Sequence, residues 1–469
     1  MKTLSKSSYC NGLQCLKILW LKTNCPEEEQ ISETTQSKFD KGHTVGNYAK
    51  KYFGDYVEVP MDFDNFNESF KMALETTKSH IESGSPTICE AAFSFMNTIC
   101  FADILRVKKD KTVEIIEVKQ TTCVKPQHID DMAFQYYIIK NCGYIISKVS
   151  LMHINSSYVR HGDIEPKKFF HVEDCTEEAL ARQKDIPAKI EKMLQYSQQP
   201  EEPAMETGWH CSNPYTCVYW EHCHKNVDEP ECRDARPCVS TEPQTEPDVT
   251  KFNKPAIQNF LSKIRYPLYF FDFETTCMEP LPPVDGASPY NPMPFQYSLH
   301  IQQTKEENID TLEHRECLID AFSNENVRAF AEQLCRDIPK DVMVMAYNTS
   351  FEKGVLKRLA DTFPDLAAHL LAIKSNFIDL MAPFRSKHLQ TPEMEGRYSI
   401  KKVLPALIPE LGYSELEVQD GGMAYDTFIT LPHLSPEERE EKRKALLAYC
   451  ELDTFAMVKI LKKLDEMCE

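Results

Sequence analysis

The chain has 469 residues, too many for one core and enough for two or three domains. Apolar residues make up 42% and aromatic residues 10%, which indicates globular, well-cored domains, and no segment reaches the apolar length of a bilayer span. The net charge of −19 argues against a broad nucleic-acid-coating surface and leaves room only for a locally reversed one.

In chain order, Met1-Lys-Thr-Leu-Ser-Lys-Ser-Ser lacks the apolar stretch of a signal peptide, so a cytoplasmic protein is expected. Eighteen cysteines in a reducing compartment do not read as a disulfide framework. Cys89, Cys100, Cys142 and Cys335 read as small buried hydrophobes. Residues 42–53 read as a helix, Thr87–Phe95 and 104–119 as strands, and 129–140 and 176–198 as helices. The stretch 226–255, rich in Pro, Glu, Thr and Asp, reads as a linker between domains 1–225 and 256–469. Strands are expected at 268–274, 295–302 and 341–346. Ser435-Pro-Glu-Glu438 is a capping box with proline at the first helical position, opening a helix that carries Tyr449 and Asp453.

The apolar run ending in Phe270-Phe-Asp-Phe-Glu-Thr-Thr276 carries the most specific chemistry. A continuous apolar strand is buried on both faces, and two acids at i and i+2 point to one side of it. Buried carboxylates need a partner or a metal, so Asp272 and Glu274 read as the start of a two-metal phosphodiesterase site. Three further segments supply candidates: Asn348 with Glu352, Asp379, and Tyr449 with Asp453, which share one helix face. Taken together, 266–469 resembles the DnaQ-like, or DEDD, 3′–5′ exonucleases of RNase H-like fold. The resemblance implies that Asp272, Glu274 and Asp453 bind two Mg²⁺ or Mn²⁺ ions and that Tyr449 orients the attacking water. Where the family's second motif ends in aspartate this chain has Glu352, and Asp379 is the alternative fourth acid. Ser399 or Lys401 can reach a phosphate or simply start a helix.

In the first half, Phe101-Ala-Asp103 leads through a lysine-rich turn to Val113-Glu-Ile-Ile-Glu117-Val-Lys119. Glu117 and Lys119 lie on one strand face, with Asp103 beside them. This resembles the PD-(D/E)xK nuclease core, which implies that Asp103 and Glu117 hold a metal and that Lys119 stabilises charge or positions water. Gln135 matches the glutamine of RecB-like nucleases, whereas the tyrosine spacing departs from theirs. His43 and Glu90 are further candidate ligands.

Cys211, Cys217 and Cys223, with five residues between neighbours, pair with one distal N-terminal cysteine. Cys15 in its Gly-x-Gln-Cys-x-Lys-x-Leu-Trp context is preferred over Cys10. The set resembles the iron–sulfur RecB-like nucleases and implies a 4Fe–4S cluster stapling the ends of the domain. A structural Zn²⁺ is the rival. Cys232 and Cys238 read as surface thiols.

The fold class expected is therefore α/β: a PD-(D/E)xK core with an iron–sulfur staple, then an RNase H-like mixed sheet flanked by helices. The arrangement resembles a bacterial family fusing the two. It implies a metal-dependent nuclease with 3′–5′ exonuclease activity in the second half and a cutting or strand-gripping site in the first. The partner is nucleic acid, DNA ahead of RNA, and no membrane. The alternative is a nucleic-acid-binding module, or a processing subunit of a defence or repair complex, with one half inactive.

Overall fold

The computed structural model describes residues 3–30, 33–225, 250–276 and 279–469. Within them the chain divides into two compact units, Met1–Tyr158 with Ile164–Val239, and Val159–Asp163 with Ser240–Glu469. Both are mixed α/β. No helix of the described residues is long and apolar enough to cross a membrane.

The first unit is built on a seven-stranded mixed sheet. Thr87–Phe95, Thr98–Val107 and Val113–Lys119 form an antiparallel meander. Val113–Lys119 then pairs in parallel with Ile146–Ile154, which pairs antiparallel with Phe170–Asp174. The parallel step requires a crossover, and the Pro126–Asn141 helix provides it. That helix starts earlier than residue 129 because Pro126 sits where a missing N–H costs nothing. The single helix expected over 176–198 is instead Thr176–Ala181, a 3₁₀ turn and Ile186–Ser197. Pro187 cannot donate to an upstream carbonyl, so the helix restarts there.

The second unit has a five-stranded sheet in the order Glu313–Leu318, Pro294–Gln302, Leu268–Thr275, Met343–Ala346, Phe377–Asp379. The first three strands are antiparallel neighbours, and the last two run parallel to Leu268–Thr275. Residue alternation on the central strand separates its two roles. Phe273 stacks on Phe330 of the Asn324–Asp337 helix. Asp272 and Glu274 point to the other side, where the Pro436–Glu466 helix packs across this strand and its Pro294–Gln302 neighbour. The capping box that opens this helix is present: the Ser435 side chain accepts from the Glu438 N–H, and Glu438 reaches back to the Ser435 N–H.

Residues 226–249 of the expected linker, with Cys232 and Cys238, lie outside the described residues. The residues from Lys251 onward belong to the second unit. Lys251–Phe252 pairs with Leu389–Gln390, and Lys254–Leu261 is a helix capped by the Asn253 side chain.

Candidate functional site

In the second unit, Asp272, Glu274, Glu352, Tyr449, Asp453 and Lys401 line one cleft of about 500 Å³. Its floor is made by backbone geometry. Glu352 stands in the first turn of the Ser350–Thr362 helix, only 3% exposed. Asn348, just before that helix, is held in left-handed backbone conformation at φ +71°. Asp379 supports this turn: its Oδ1 accepts the N–H groups of Asn348 and Met381, both at 3.0 Å, and its Oδ2 pairs with Arg385 at 3.2 Å. Asp379 is thus spent on the loop, and Glu352 is the acid that faces the cleft.

The acids are short of counter-charge. Burial raises Asp272 well above the ordinary carboxylate range, and the charges of Asp453, Glu274 and Glu352 add to it. Glu274 is raised in the same way by burial and Asp453, against the opposing pull of Lys401. Burial pushes Glu352 up to about 8, and its Oε2 is buried without a hydrogen-bond partner among the described residues. Burial pushes Asp453 up to about 6 although Tyr413 and Tyr449 both hydrogen-bond to it, Tyr413 Oη at 2.5 Å. Four carboxyls, an orphaned oxygen and one lysine fit hard divalent cations of the Mg²⁺ or Mn²⁺ kind. Gly421 completes the wall, since a Cβ there would sit 3.3 Å from Glu274 Oε2. Cys450 also brings its sulfur within 4.8 Å of ligand atoms of Asp272 and Glu274, but burial holds it as a neutral thiol. Sequence reasoning missed Tyr413, Cys450 and Phe351, an aromatic at the cleft that is 38% exposed. Ser399 stands at the N-cap position of the helix carrying Lys401, makes no side-chain capping bond, and is exposed.

In the first unit Asp103, Glu117, Lys119 and Gln135 do converge, and two unforeseen residues join them. Lys6 Nζ lies 2.9 Å from both Glu117 oxygens, 3.6 Å from Asp103 and 3.7 Å from Asp131. Lys119 Nζ bridges Glu117 at 2.6 Å and Asp131 at 2.8 Å. Gln135 Nε2 donates to Glu117 at 2.6 Å and to Asp131 at 3.0 Å. Asp103 Oδ2 accepts the Val118 N–H at 2.8 Å. Burial alone would raise Glu117, yet the Lys119 and Lys6 charges outweigh it and hold this carboxyl well below its usual range. Burial and the Glu117 charge push Asp103 up to about 7. This cluster therefore carries its own cations, unlike the one in the second unit. Glu90, in left-handed conformation at φ +56°, lies 3.3 Å from Lys50, and His43 is exposed on the Glu33–Lys50 helix.

A direct consequence can be measured. Lys6→Ala is expected to cost about 3 kcal/mol, because it breaks a buried ion pair. It should also open a cation site between Asp103, Glu117 and Asp131. Mn²⁺ titration followed by electron paramagnetic resonance should find one more bound ion than in wild type, and Mn²⁺ should restore the lost stability. Equal Mn²⁺ counts would show that Lys6 does not stand in for a metal.

Cys15, Cys211, Cys217 and Cys223 line a small cavity of about 20 Å³. Cys15 sits in extended backbone between the Lys6–Gln14 and Leu16–Asn24 helices, and Gln14 ties those helices to the carbonyls of His210 and Tyr215. The Tyr219 N–H points at Cys217 Sγ (3.4 Å) and the Gly208 N–H at Cys211 Sγ (3.5 Å), the arrangement that stabilises thiolates. Cys10 lies elsewhere, against the Asp131 and Lys119 charges. Among the described residues, the sets of three or more ligating side chains with donor atoms within 4.8 Å are Asp272–Glu274–Cys450 and His300–His314–Glu451; the four cysteines are not such a set.

Residues 269–399 match the family described as domain of unknown function DUF2779. The matched span holds Asp272, Glu274, Glu352 and Asp379 and stops before Lys401, Tyr449 and Asp453. A 235-residue stretch is 27% identical to uncharacterized protein UU173 of Ureaplasma parvum serovar 3, covering 45% of this chain and 33% of that protein. The chain thus spans about a third of the length of this curated relative.

Proposed function

We propose that the chain is a metal-dependent nuclease whose second unit removes nucleotides from a 3′ end. The observation that carries this reading is the cleft of buried acids with one lysine and an orphaned Glu352 oxygen. Strand order and direction in the second unit agree with an RNase H-like fold of the DnaQ type. Asp272, Glu274 and Asp453 would hold the ions, with Glu352 as fourth acid. Bound divalent metal supplies charge that clamps a phosphodiester and acidifies the attacking water. Tyr449, anchored on Asp453, orients that water. Lys401 can neutralise a phosphate oxygen, and Phe351 offers a face on which a terminal base can stack.

For the first unit, the meander, the crossover helix and the Asp103–Glu117–Lys119 set support a PD-(D/E)xK-like core. The specific observation of Lys6 on Glu117 favours the strand-gripping role over a second cutting site. Cys15, Cys211, Cys217 and Cys223 would hold a 4Fe–4S cluster. One zinc ion draws four sulfurs to within roughly 3.8 Å of each other at Zn–S bonds of about 2.3 Å. The spacing of Cys15 and the Cys-x5-Cys-x5-Cys trio is the feature that favours the cluster over zinc.

The test is digestion of 5′- and 3′-labelled single strands of DNA and RNA with Mn²⁺, Mg²⁺ or EDTA. Stepwise shortening from the 3′ end, with metal only, is expected. Strand binding without hydrolysis in any metal would replace this reading with the nucleic-acid-binding module.

A further inference from the structure

Two imidazoles on the same sheet have no part in the reaction proposed above. His300 is buried on the Pro294–Gln302 strand, and His314 is half-buried on the neighbouring Glu313–Leu318 strand. The two residues are directly paired across the strands, with ring centroids 4.6 Å apart. Glu451 of the Pro436–Glu466 helix joins them: one ligand atom from each of the three residues lies within 4.8 Å of the other two.

With Thr454 as donor to the Glu451 carbonyl, the hydrogen bonds behind the rings assign one tautomer to each. Thr454 Oγ1 donates its single proton to the Glu451 carbonyl at 3.0 Å. Toward its other two neighbours it can therefore only accept. Those neighbours are Ser298 Oγ at 2.7 Å and His300 Nδ1 at 2.9 Å. Ser298 has then given away its proton, so it accepts from His314 Nε2 at 2.9 Å. In their neutral forms His300 is protonated on Nδ1 and His314 on Nε2. Each ring is left with a bare lone pair, on His300 Nε2 and on His314 Nδ1. This is how proteins prepare histidine ligands: the remote nitrogen is held by an outer hydrogen bond, and the other is left to the ion.

We propose that His300 Nε2, His314 Nδ1 and the Glu451 carboxylate hold a divalent first-row transition-metal ion, zinc first among them, at a site distinct from the acid cleft. Two imidazoles and one carboxylate suit such ions, whereas Mg²⁺ prefers an all-oxygen set. Ligands at about 2.1 Å from one ion lie roughly 3.4 Å apart, so binding draws the two rings and Glu451 together around it. Glu451 is exposed and free to make it. Glu316, two residues from His314 on the same strand face and close to the Glu451 charge, can serve as a further oxygen ligand. The site braces the second unit. Ser298 is paired with Asp272 across the strands, and Thr454 follows Asp453, so an ion here ties together the strand and helix that carry those acids.

The test counts zinc rather than turnover. Full-length protein, isolated anaerobically so that its cysteine site keeps its own metal, is dialysed against buffered Zn²⁺ with excess Mg²⁺. Wild type is expected to retain one zinc equivalent more than His314→Ala. Glu451→Gln, a change at an exposed position that leaves folding alone, is expected to weaken that zinc at least about 10-fold. Asp272→Asn should keep the equivalent. Zinc should raise the melting temperature of wild type and leave that of His314→Ala unmoved. Equal zinc in wild type, His314→Ala and Glu451→Gln overturns the proposal. So does loss of the equivalent in Asp272→Asn, which would place the ion in the acid cleft. A protein inactive on every strand that still loses one zinc with His314→Ala would keep this site and remove only the nuclease reading.

Discussion

Asp272→Asn is expected to slow removal of 3′ nucleotides by about 10³-fold and, in EDTA, to raise the melting temperature of the protein. The first effect follows from losing a metal ligand worth several kcal/mol of charge stabilisation, at about 1.4 kcal/mol per tenfold in rate. The second follows from the crowding of acids. Asp272 is raised by burial and then by the charges of Asp453, Glu274 and Glu352, so the metal-free cluster resists ionisation. A neutral amide of the same shape relieves that repulsion.

The pH dependence has a definite sign. Asp453 titrates at about 6 and Glu352 at about 8 when folded, whereas ordinary carboxyls have lost their protons by pH 5. Between those limits the folded state holds more protons than the unfolded chain. Stability conferred by these protons is complete below the ordinary carboxylate range and is lost as pH rises toward 8. Metal-free wild type should therefore melt lower at pH 8 than at pH 5, with a shallower slope in Asp272→Asn, and Mn²⁺ should flatten the wild-type slope. Calorimetric scans across this range with and without Mn²⁺ measure all three. An inactive variant that also melts below wild type at pH 8 in EDTA would point to misfolding instead, and a variant of wild-type rate would remove Asp272 from the site.

Which residues were legible in the sequence follows from how far away their partners lie. Asp272 and Glu274 stood out because two acids end a strand that is otherwise apolar, a local contradiction. Tyr449 and Asp453 were legible because a strong cap fixed the helix and its four-residue spacing. Lys6 was not, because its meaning depends on Glu117, 111 positions away. Tyr413, hydrogen-bonded to Asp453 from 40 positions away, was hidden for the same reason. The Glu313–Leu318 strand is a mostly polar sheet edge, Glu-His-Arg-Glu-Cys-Leu, whose only strand signal is its pairing with Pro294–Gln302. Between Glu352 and Asp379 the sequence offered no choice, since the deciding fact is which backbone N–H groups Asp379 accepts.

Cys217→Ser is expected to have the second large effect: loss of the metal centre and local unfolding of the segment that carries three of its four ligands. Anaerobically isolated wild type should be brown with broad visible absorption, and the variant colourless. Cys15 and Cys211 are 196 positions apart, so a staple between them closes a long loop. In the chain-entropy treatment of cross-links a loop of this length contributes about 5 kcal/mol. The core around these four cysteines is small, with Ile18, Leu21 and Tyr219 as its buried members, and the 208–224 segment has a 3₁₀ turn and a five-residue helix. Gln14 bonds to the His210 and Tyr215 carbonyls, the Gln30 N–H to the Val218 carbonyl and Lys225 to Glu28, while Trp20 holds the Gln199 carbonyl just before this segment. Removing one ligand should therefore free this segment first. Amide exchange and limited proteolysis should rise across 199–224, while the Thr87–Ile154 sheet, with its own apolar core, stays protected. Colourless wild type carrying one zinc per chain would reassign the centre to zinc, and unchanged exchange across 199–224 in Cys217→Ser would show that no metal holds the segment at all.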